Sequence, residues 1–467
     1  MLKNFRGLIL PSIISASLVV TGCGSNDDDK VGTPSQTPSA TISGKVTNSL
    51  GVPISGATVT AGAATATSNT DGSYSLKVTP SATALKVEAK KTGFVATLDM
   101  VPLVSGQSTP VDFRLQTVGS SNLLTNLKTN NTTATDGDGV VVVKFSPNSI
   151  VDSTGNPVDT ATVDVTTNKP AAAGYTDSFP GLFIGTRNGT EIPIESFGYA
   201  NIDISCGTAK CNLGTGKTAE IAIPVYSGAD PSTPTIELWS LNTTTGKWQY
   251  ETDATRDAST LPVVYRANVT HFSAYNLDRP IVDKTELKVT VTNNSSPVRS
   301  AVIVVTSTSN SGGVWEDRGI TGSDGTYTFP VVPAGTVSAK AALGSLKGVG
   351  YGYDIQSAGK ATMTITLAQL LSKQIFFYRM VDGVKTPVSG AAIQAFGESQ
   401  GGMGAPFSGF TGADGKLNIE LVNNAMFYGI SANVTINNIS YHANINTNNF
   451  ASIPSELELK VSTNSAQ

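Results

Sequence analysis

The sequence predicts an all-β protein built of tandem β-sandwich domains, and three observations support this prediction. Short segments such as 41–46 alternate apolar and polar residues, which places one face of a strand on a core and the other in water. Turn residues recur every eight to twelve positions, and no amphipathic helix of useful length follows the N-terminal segment. The chain has 467 residues, of which only 14% are charged. That length gives room for about three or four domains.

The first 22 residues have the layout of a secretory signal peptide. Lys3 and Arg6 supply a positive flank, and an apolar stretch follows at 8–20. This stretch is shorter than the roughly 20 apolar residues that a membrane span needs. Residues 20–23, Val-Thr-Gly-Cys, resemble the lipobox of bacterial lipoproteins, a family in which the cysteine is acylated and the signal is cut before it. The resemblance implies that Cys23 carries fatty chains such as palmitate and anchors the mature chain to a membrane. The alternative is a secreted protein with a stray cysteine.

Residues 23–39 predict a flexible tether between the lipid and the first domain. The segment is polar, contains proline and has no apolar periodicity. Gly24 rather than Asp follows the cysteine, and by resemblance to lipoprotein sorting rules this favours the outer membrane. We therefore expect a chain that is lipid-anchored there and faces the periplasm or the cell surface. The acidic run 27–29 is interpreted as a solvated spacer.

The charge of the mature chain bears on its partners. Removal of residues 1–22 takes away two basic residues and no acidic one, which leaves 29 basic against 35 acidic residues and a net charge of −6. A mildly acidic chain without a Lys/Arg cluster does not suit nucleic acid. The expected partners are a membrane, through the lipid, and a polysaccharide or an envelope protein.

Cys206 and Cys211 are the two remaining cysteines, and they flank four residues that suit a hairpin loop. An oxidising compartment outside the cytoplasm favours a disulfide between them. The alternative is a metal site, but no His or further Cys nearby supplies the other ligands. The prediction is a disulfide and no metal.

One motif occurs three times in the chain. In each copy a proline precedes a small residue and an apolar segment, and an Asp-Gly pair follows. The prolines are Pro53, Pro297 and Pro387, and the pairs begin at Asp71, Asp324 and Asp414. Proline can begin a strand because it need not donate a ladder hydrogen bond, and Asp-Gly is a hairpin turn in which Gly accepts a positive φ. The motif predicts three related β domains.

These residues resemble the carboxypeptidase regulatory-like, or transthyretin-like, β-sandwich family, whose pattern runs from Pro-x-x-Gly-Ala-x-Val to Thr-x-x-Asp-Gly-x-Tyr. The first copy, 40–116, matches best. The second, 281–370, has Ser300 in place of the glycine, and the third, 371–467, has Leu417 in place of the tyrosine. The resemblance implies immunoglobulin-like sandwich modules that serve as accessory spacers.

Residues 117–280 differ from the repeat and predict a larger β domain. Strands are expected at 140–145 and 161–165, and a hairpin carries Trp239 and Trp248 on its two arms. The order of its motifs, from Gly-Asn-Pro through Leu-Trp to Thr-His-Phe-Ser, is distantly similar to extracellular β domains of the ZU5 type. That resemblance implies a structural module without chemistry of its own.

Two motifs typical of enzymes occur in surroundings that do not suit them. Ser399 lies in Gly-x-Ser-x-Gly, and Asp414 and His442 follow in the order of α/β-hydrolases, but that motif needs a strand–turn–helix. Residues 211–218 end like a phosphate-binding loop, yet Cys211 replaces its first glycine and a β-rich hairpin follows. We therefore expect no enzyme, no catalytic residue and no cofactor.

Two further features have a possible ligand chemistry. Asp136 and Asp138 lie in Asp-Gly-Asp-Gly, which we interpret as two tight turns, with calcium binding left open. His271 and His442 belong to different domains, and neither has a Cys or His neighbour at ligand spacing.

Aromatic residues offer the last candidate for a binding site. Trp239 and Trp248 lie in alternating strands, a pattern typical of a core. Trp315 lies in the segment 312–318, which is predicted to protrude as a loop where the ring can stack on a sugar. The sequence predicts a non-enzymatic structural, adhesin-like or interaction protein of the cell envelope. The alternative is a carbohydrate-binding accessory protein that uses loop aromatics such as Trp315.

Overall fold

Side chains alternate between buried and exposed along most strands, as a half-buried sheet requires. In Ser73–Val78, for example, Tyr74, Leu76 and Val78 are buried while Ser75 and Lys77 are exposed. A computed structural model describes residues 39–80, 84–168, 175–225, 233–260, 262–356, 359–399, 402–403, 407–423 and 425–462. Within these residues the regular secondary structure is nearly all strand, with one four-residue α-helix, and the predicted all-β fold is confirmed.

The first domain is a sandwich of two sheets. Its strands are β1 (Ala40–Asn48), β2 (Thr58–Ala61), β3 (Ala64–Thr67), β4 (Ser73–Val78), β5 (Leu85–Lys90), β6 (Thr97–Val101), β7 (Ser108–Pro110) and β8 (Phe113–Leu115). β1 pairs antiparallel with β4 and parallel with β7 and β8, and the second sheet has the order β3-β2-β5-β6. Between the sheets lies an apolar core that includes Ile42, Val59 and Phe113.

The middle domain is larger and contains the helix. Its elements are β9 (Ser120–Thr125), β10 (Thr132–Thr135), β11 (Val142–Phe145), β12 (Ile150–Val151), β13 (Thr160–Asn168), α1 (Tyr175–Ser178), β14 (Ile184–Arg187), β15 (Thr190–Cys206), β16 (Ala209–Lys210), β17 (Asn212–Leu213), β18 (Ala219–Pro224), β19 (Thr235–Asn242), β20 (Lys247–Asp257), β21 (Val264–Val269) and β22 (Ala274–Pro280). The expected tryptophan hairpin is β19–β20, in which Trp239 lies opposite Tyr250 and Leu241 lies opposite Trp248. The core of this domain extends on both sides of β15.

The second and third copies of the motif have the topology of the first. The second copy has β23 (Lys284–Asn293), β24 (Ser296–Pro297), β25 (Val302–Ser309), β26 (Val314–Ile320), β27 (Thr326–Pro333), β28 (Gly335–Leu343), β29 (Leu346–Ile355) and β30 (Lys360–Thr366). The third has β31 (Ala368–Val381), β32 (Val384–Pro387), β33 (Ala392–Ser399), β34 (Gly402–Met403), β35 (Phe407–Phe410), β36 (Lys416–Val422), β37 (Phe427–Ile436), β38 (Ile439–Thr447), the 3₁₀ turn Phe450–Ser452, β39 (Glu456–Glu458) and β40 (Lys460–Val461). β23 pairs antiparallel with β27 and parallel with β30, and β31 does the same with β36 and β39.

The repeated motif has the same local chemistry in all three copies. In each copy one hydroxyl makes two hydrogen bonds. It accepts a hydrogen bond from the backbone amide of the motif's alanine, and it donates one to the carbonyl oxygen three residues before that alanine. These hydroxyls belong to Ser68, Thr321 and Thr411, and they act on Ala57, Ala301 and Ala391 at 2.9 Å in each copy. The motif's aspartate accepts the amide two residues later, at Ser73, Thr326 and Lys416. The glycine after it has a φ between 71° and 77°, so the Asp-Gly turn forms as predicted.

The domains are joined by more than linkers. One apolar core contains both Trp239 of the middle domain and Phe329 of the second copy. Strand β31 crosses the expected boundary between residues 370 and 371, because Gln369 pairs with Leu346 of the second copy and Leu370 pairs with Val422 of the third. The described residues form one compact unit. Among these residues, no helix has the length and apolar character needed to cross a membrane.

Candidate functional site

Trp315 lies in the core, and the prediction of a protruding loop at this residue is wrong. Trp315 belongs to β26 and has an exposed fraction of 2%. Its neighbour Val314 is also buried, and it pairs with Ser196 of the middle domain. The strand is therefore covered on both faces. The indole of Trp315 has no surface on which a sugar can stack.

The other two tryptophans are also core residues, as their strand pattern predicts. Trp239 and Trp248 are fully buried, and the ring of Trp248 lies 5.2 Å from that of Phe179. Phe179 in turn stacks on Phe183 at 4.0 Å. These aromatic rings stabilise the packing between the helix α1 and the hairpin β19–β20.

Ser399 and His442 of the hydrolase-like motif lie in strands of one antiparallel sheet, and Asp414 lies in a turn. Ser399 ends β33 and pairs with Gly402 of β34, so a strand rather than a helix follows the motif. Asp414 accepts the amide of Lys416 within the repeated turn. His442 lies on β38 opposite Asn433, and β37 separates β38 from β33. The segment 211–218 likewise passes from β17 through a turn to β18, without the helix N-terminus that binds phosphate.

Cys206 and Cys211 are bonded in the structure, with their Cα atoms 5.8 Å apart. The bond closes the hairpin β15–β16, in which Gly207 has a φ of 66°. Cys211 packs on the core of the middle domain, so the link ties the end of the long strand β15 to that core. Cys23, the predicted lipidation site, lies outside the described residues.

Asp136 closes a turn with one carboxylate oxygen and binds the neighbouring strand β13 with the other. Oδ1 accepts the amides of Val140 and Val141 at 2.7 and 3.0 Å, and Oδ2 accepts the hydroxyl of Thr167 at 3.2 Å. The residue is only 4% exposed. In the described part of the chain, no group of three or more His, Cys, Asp or Glu is arranged to hold a metal ion.

His271 forms a half-buried pair with Glu251, a partner that no pattern in the sequence indicates. Nε2 of His271 lies 3.1 Å from Oε1 of Glu251, which also accepts the Ser240 hydroxyl at 2.6 Å. The hydrogen bond to Glu251 raises the pKa of His271, although burial acts in the opposite direction. Burial acts to raise the pKa of Glu251, but its hydrogen bonds with His271 and Ser240 outweigh this effect and lower it. The pair fixes the end of β21 to β20.

Three domains bring charged side chains together at one place, which we call the junction cluster. Its members are Asp99, Asp112 and Arg114 of the first domain, Asp177 of the middle domain, and Glu316, Arg318 and Lys340 of the second copy. Nη2 of Arg318 lies 2.6 Å from Oδ2 of Asp99 and 3.3 Å from Oε1 of Glu316. Nη2 of Arg114 lies 3.9 Å from Oδ2 of Asp177. One guanidinium is therefore shared by two carboxylates from different domains.

Water has little access to the centre of the junction cluster. The side chains of Asp99, Glu316 and Arg318 are 14%, 12% and 16% exposed. Burial raises the pKa of Glu316 to about 7, with Arg318 opposing this effect, and burial also raises the pKa of Asp99. Burial acts against the charged form of Arg318, but the surrounding carboxylates outweigh it and raise its pKa. Asp177 is the main cause of the raised pKa of Lys340.

A polar cleft of about 1160 Å³ adjoins the junction cluster where the three copies of the motif and α1 meet. Hydroxyl pairs line it, including Thr306–Ser338 at 2.7 Å. Its charged lining consists of Lys45, Arg114, Lys340, Lys347 and Lys416 against Asp71, Asp112, Asp177, Asp414 and Glu420. Five cations and five anions leave no net charge, so the cleft does not select a ligand by sign.

Comparison with a protein-family model supports the prediction for the first copy of the motif. Residues 41–116 match the model described as "Carboxypeptidase regulatory-like domain". A search of curated protein sequences found no match.

Similar solved structures include pilins and one further bacterial protein. The minor pilin GBS52 of Streptococcus agalactiae is 9% identical over 39% of this chain and 99% of its own, with a TM-score of 0.19. The shaft pilin SpaA of Lactobacillus rhamnosus GG is 8% identical over 38% and 98%, with a TM-score of 0.17. The Bacillus anthracis TIE protein is 12% identical over 79% and 52%, with a TM-score of 0.16. Superpositions of this quality carry no argument about function, so the relationship that the comparisons support is the match of residues 41–116 to the carboxypeptidase regulatory-like domain family.

Proposed function

We propose that this chain is an exported lipoprotein, anchored at the outer membrane through Cys23, and that its β-sandwich domains form a non-enzymatic structural or adhesin-like module of the cell envelope. The observation that supports this function is the way the chain uses its buried charges. Asp99 and Arg318 bridge two domains at 2.6 Å instead of lining a catalytic pocket. A protein whose task is to hold or present surfaces depends on contacts between its domains.

The proposed partners follow from charge and attachment. The membrane is contacted through the fatty chains on Cys23, and a net charge of −6 on the mature chain argues against nucleic acid. A polysaccharide or an envelope protein is the remaining class of partner. Carbohydrate binding through Trp315 is not proposed, because this residue is buried.

The anchor is tested by metabolic labelling of cells with radioactive palmitate. The wild-type chain should carry label and fractionate with the outer membrane, whereas Cys23→Ser should lose both properties. Cys206→Ser/Cys211→Ser is the matched control, because it removes thiols that the proposal does not acylate, and it should keep the label. Label on Cys23→Ser, or none on the wild type, would contradict the anchor.

The non-enzymatic, adhesive role is tested on intact cells. Cells with the full-length chain should bind immobilised envelope polysaccharide or neighbouring cells more strongly than cells without it, and protease treatment of the surface should abolish the difference if the domains face outward. The purified wild-type chain should hydrolyse a panel of esters no faster than the Ser399→Ala variant does. Ester hydrolysis that disappears in Ser399→Ala would refute the non-enzymatic assignment.

A further inference from the structure

Several polar contacts join the first domain to the rest of the protein, beside the packing of Met100 and Leu98 near Gly246 of the middle domain. The amide of Gly181 donates to the carbonyl oxygen of Leu98 at 2.7 Å, and the Thr97 hydroxyl donates to the carbonyl oxygen of Ser178 at 3.3 Å. Among the described residues, the shortest ion pair that leaves this domain joins Arg318 to Asp99 at 2.6 Å. By contrast, a shared apolar core joins the middle domain to the second copy, and strand β31 runs from the second copy into the third. The first domain therefore has the junction that is most sensitive to charge.

The charges at this junction do not balance when every acid is ionised. Asp99, Asp112, Asp177 and Glu316 supply four negative charges, and Arg114, Arg318 and Lys340 supply three positive ones. Tyr74 also faces this group, but its hydroxyl donates to the carbonyl oxygen of Val111 and stays neutral. Two of the carboxylates share a single nitrogen of Arg318. One proton removes the excess charge and leaves the guanidinium with one ionised partner.

We propose that this cluster is a pH-sensitive latch: mild acid holds the first domain against the middle domain and the second copy, and deprotonation at higher pH releases it. The geometry that supports the proposal is the presence of two poorly solvated carboxylates, Asp99 and Glu316, within 3.3 Å of one guanidinium nitrogen. Separation of the domains exposes both acids to water. This inference goes beyond the proposed function and does not depend on the acylation of Cys23.

The direction of the effect follows from proton linkage. In the docked protein, burial raises the pKa of Glu316 from its ordinary value of 4.5 to about 7, because it removes water from the carboxyl group. The docked state therefore binds more protons than the undocked state, so docking is strongest below about pH 4.5 and weakens as the pH rises toward 7. Between pH 4.5 and 7 the ratio of docked to undocked molecules falls by up to about tenfold per pH unit. Above pH 7 the Glu316 carboxyl is ionised in both states, so it no longer alters this ratio.

Hydrogen exchange of two neighbouring amides tests the latch on the full chain in detergent. The Gly181 amide donates across the junction to Leu98, whereas the Leu182 amide donates within the middle domain to Gly246, at 2.7 Å in both cases. Exchange is read by mass spectrometry with electron-transfer fragmentation and corrected for the intrinsic effect of pH. Between pH 5.5 and 7, exchange at Gly181 should become up to about tenfold faster per pH unit, while exchange at Leu182 should stay constant.

Three variants separate the latch from a general loss of stability. Glu316→Gln stands for the protonated acid and leaves Arg318 with one charged partner, so Gly181 should keep its acid-level protection up to pH 8. Arg318→Met should expose Gly181 at every pH. Asp317→Asn is the matched control, because alternate residues of β26 point to opposite faces and Asp317 faces Tyr327 of its own domain. Burial raises the pKa of Asp317 to about 6, so this carboxyl titrates in the same interval without touching the junction. Exchange at Gly181 in Asp317→Asn should depend on pH as it does in the wild type.

A wild-type Gly181 amide whose protection does not depend on pH would overturn the proposal. The same conclusion would follow if Glu316→Gln kept the wild-type dependence on pH. Because Glu316→Gln changes neither the shape nor the size of the side chain, it decides the question even if Arg318→Met fails to fold.

Discussion

Ser300 occupies a backbone position at which the other two copies of the motif have glycine. Its φ is 62°, and the equivalent residues Gly56 and Gly390 have φ values of 69° and 70°. A left-handed conformation costs an L-residue with a Cβ about 1–2 kcal/mol, whereas glycine adopts it freely but loses more conformational entropy on folding, by about 0.5–1 kcal/mol. Ser300→Gly should therefore raise the stability of the second copy by about 0.5–1 kcal/mol. The backbone hydrogen bond from residue 300 to Thr321 remains available to glycine.

The reverse substitution in the third copy is the matched control. At Gly390 a Cβ has no atom within 4 Å, so Gly390→Ser adds strain but no collision and should cost about 0.5–1 kcal/mol. Native-state hydrogen exchange of the amides in β25 and β33 measures each copy separately, and the expected change in protection is about two- to fivefold in opposite directions. Weaker protection in Ser300→Gly, or no loss in Gly390→Ser, would refute the assignment of strain to the φ of this position.

Three further predictions concern the middle domain. Asp278 is fully buried, and burial raises its pKa well above the usual value. The folded state therefore keeps the carboxyl protonated. As the pH rises above about 4, the free energy of unfolding should fall by up to about 1.4 kcal/mol per pH unit. Asp278→Asn should flatten this slope in urea titrations from pH 4 to 8, and an unchanged slope would contradict it. Gly185→Ala places a Cβ 2.5 Å from the Trp239 ring and should cost about 1–3 kcal/mol in thermal unfolding, whereas Gly137→Ala, with 3.5 Å of space, should cost far less. Serine at both positions of the Cys206–Cys211 pair should cost about 2 kcal/mol, because the bond closes a short loop. Mass spectrometry of unreduced peptides checks the bond itself, and free thiols there would refute it.

The sequence was sufficient for features that depend on neighbouring residues. The Asp-Gly turns at Asp71, Asp324 and Asp414 form as predicted, because a left-handed glycine after a turn-forming aspartate is a local preference. The absence of glycine at Ser300 was also visible, although only the structure shows its φ of 62°. Alternation of apolar residues was enough to identify the strands and to place Trp239 and Trp248 in a core.

Other features depend on contacts between distant parts of the chain, and no local pattern reports them. The segment around Trp315 is rich in glycine and charge, as a loop is, but the middle domain covers it and Trp315 is buried. Glu316 and Arg318 look like solvated residues of that loop until Asp99 of the first domain meets them. The sequence by itself determined the strands, the turns and the threefold repeat, because these follow from short-range sterics and from the period of two along a strand. Only the tertiary structure decided which charges lose their water, because that depends on which domains pack together.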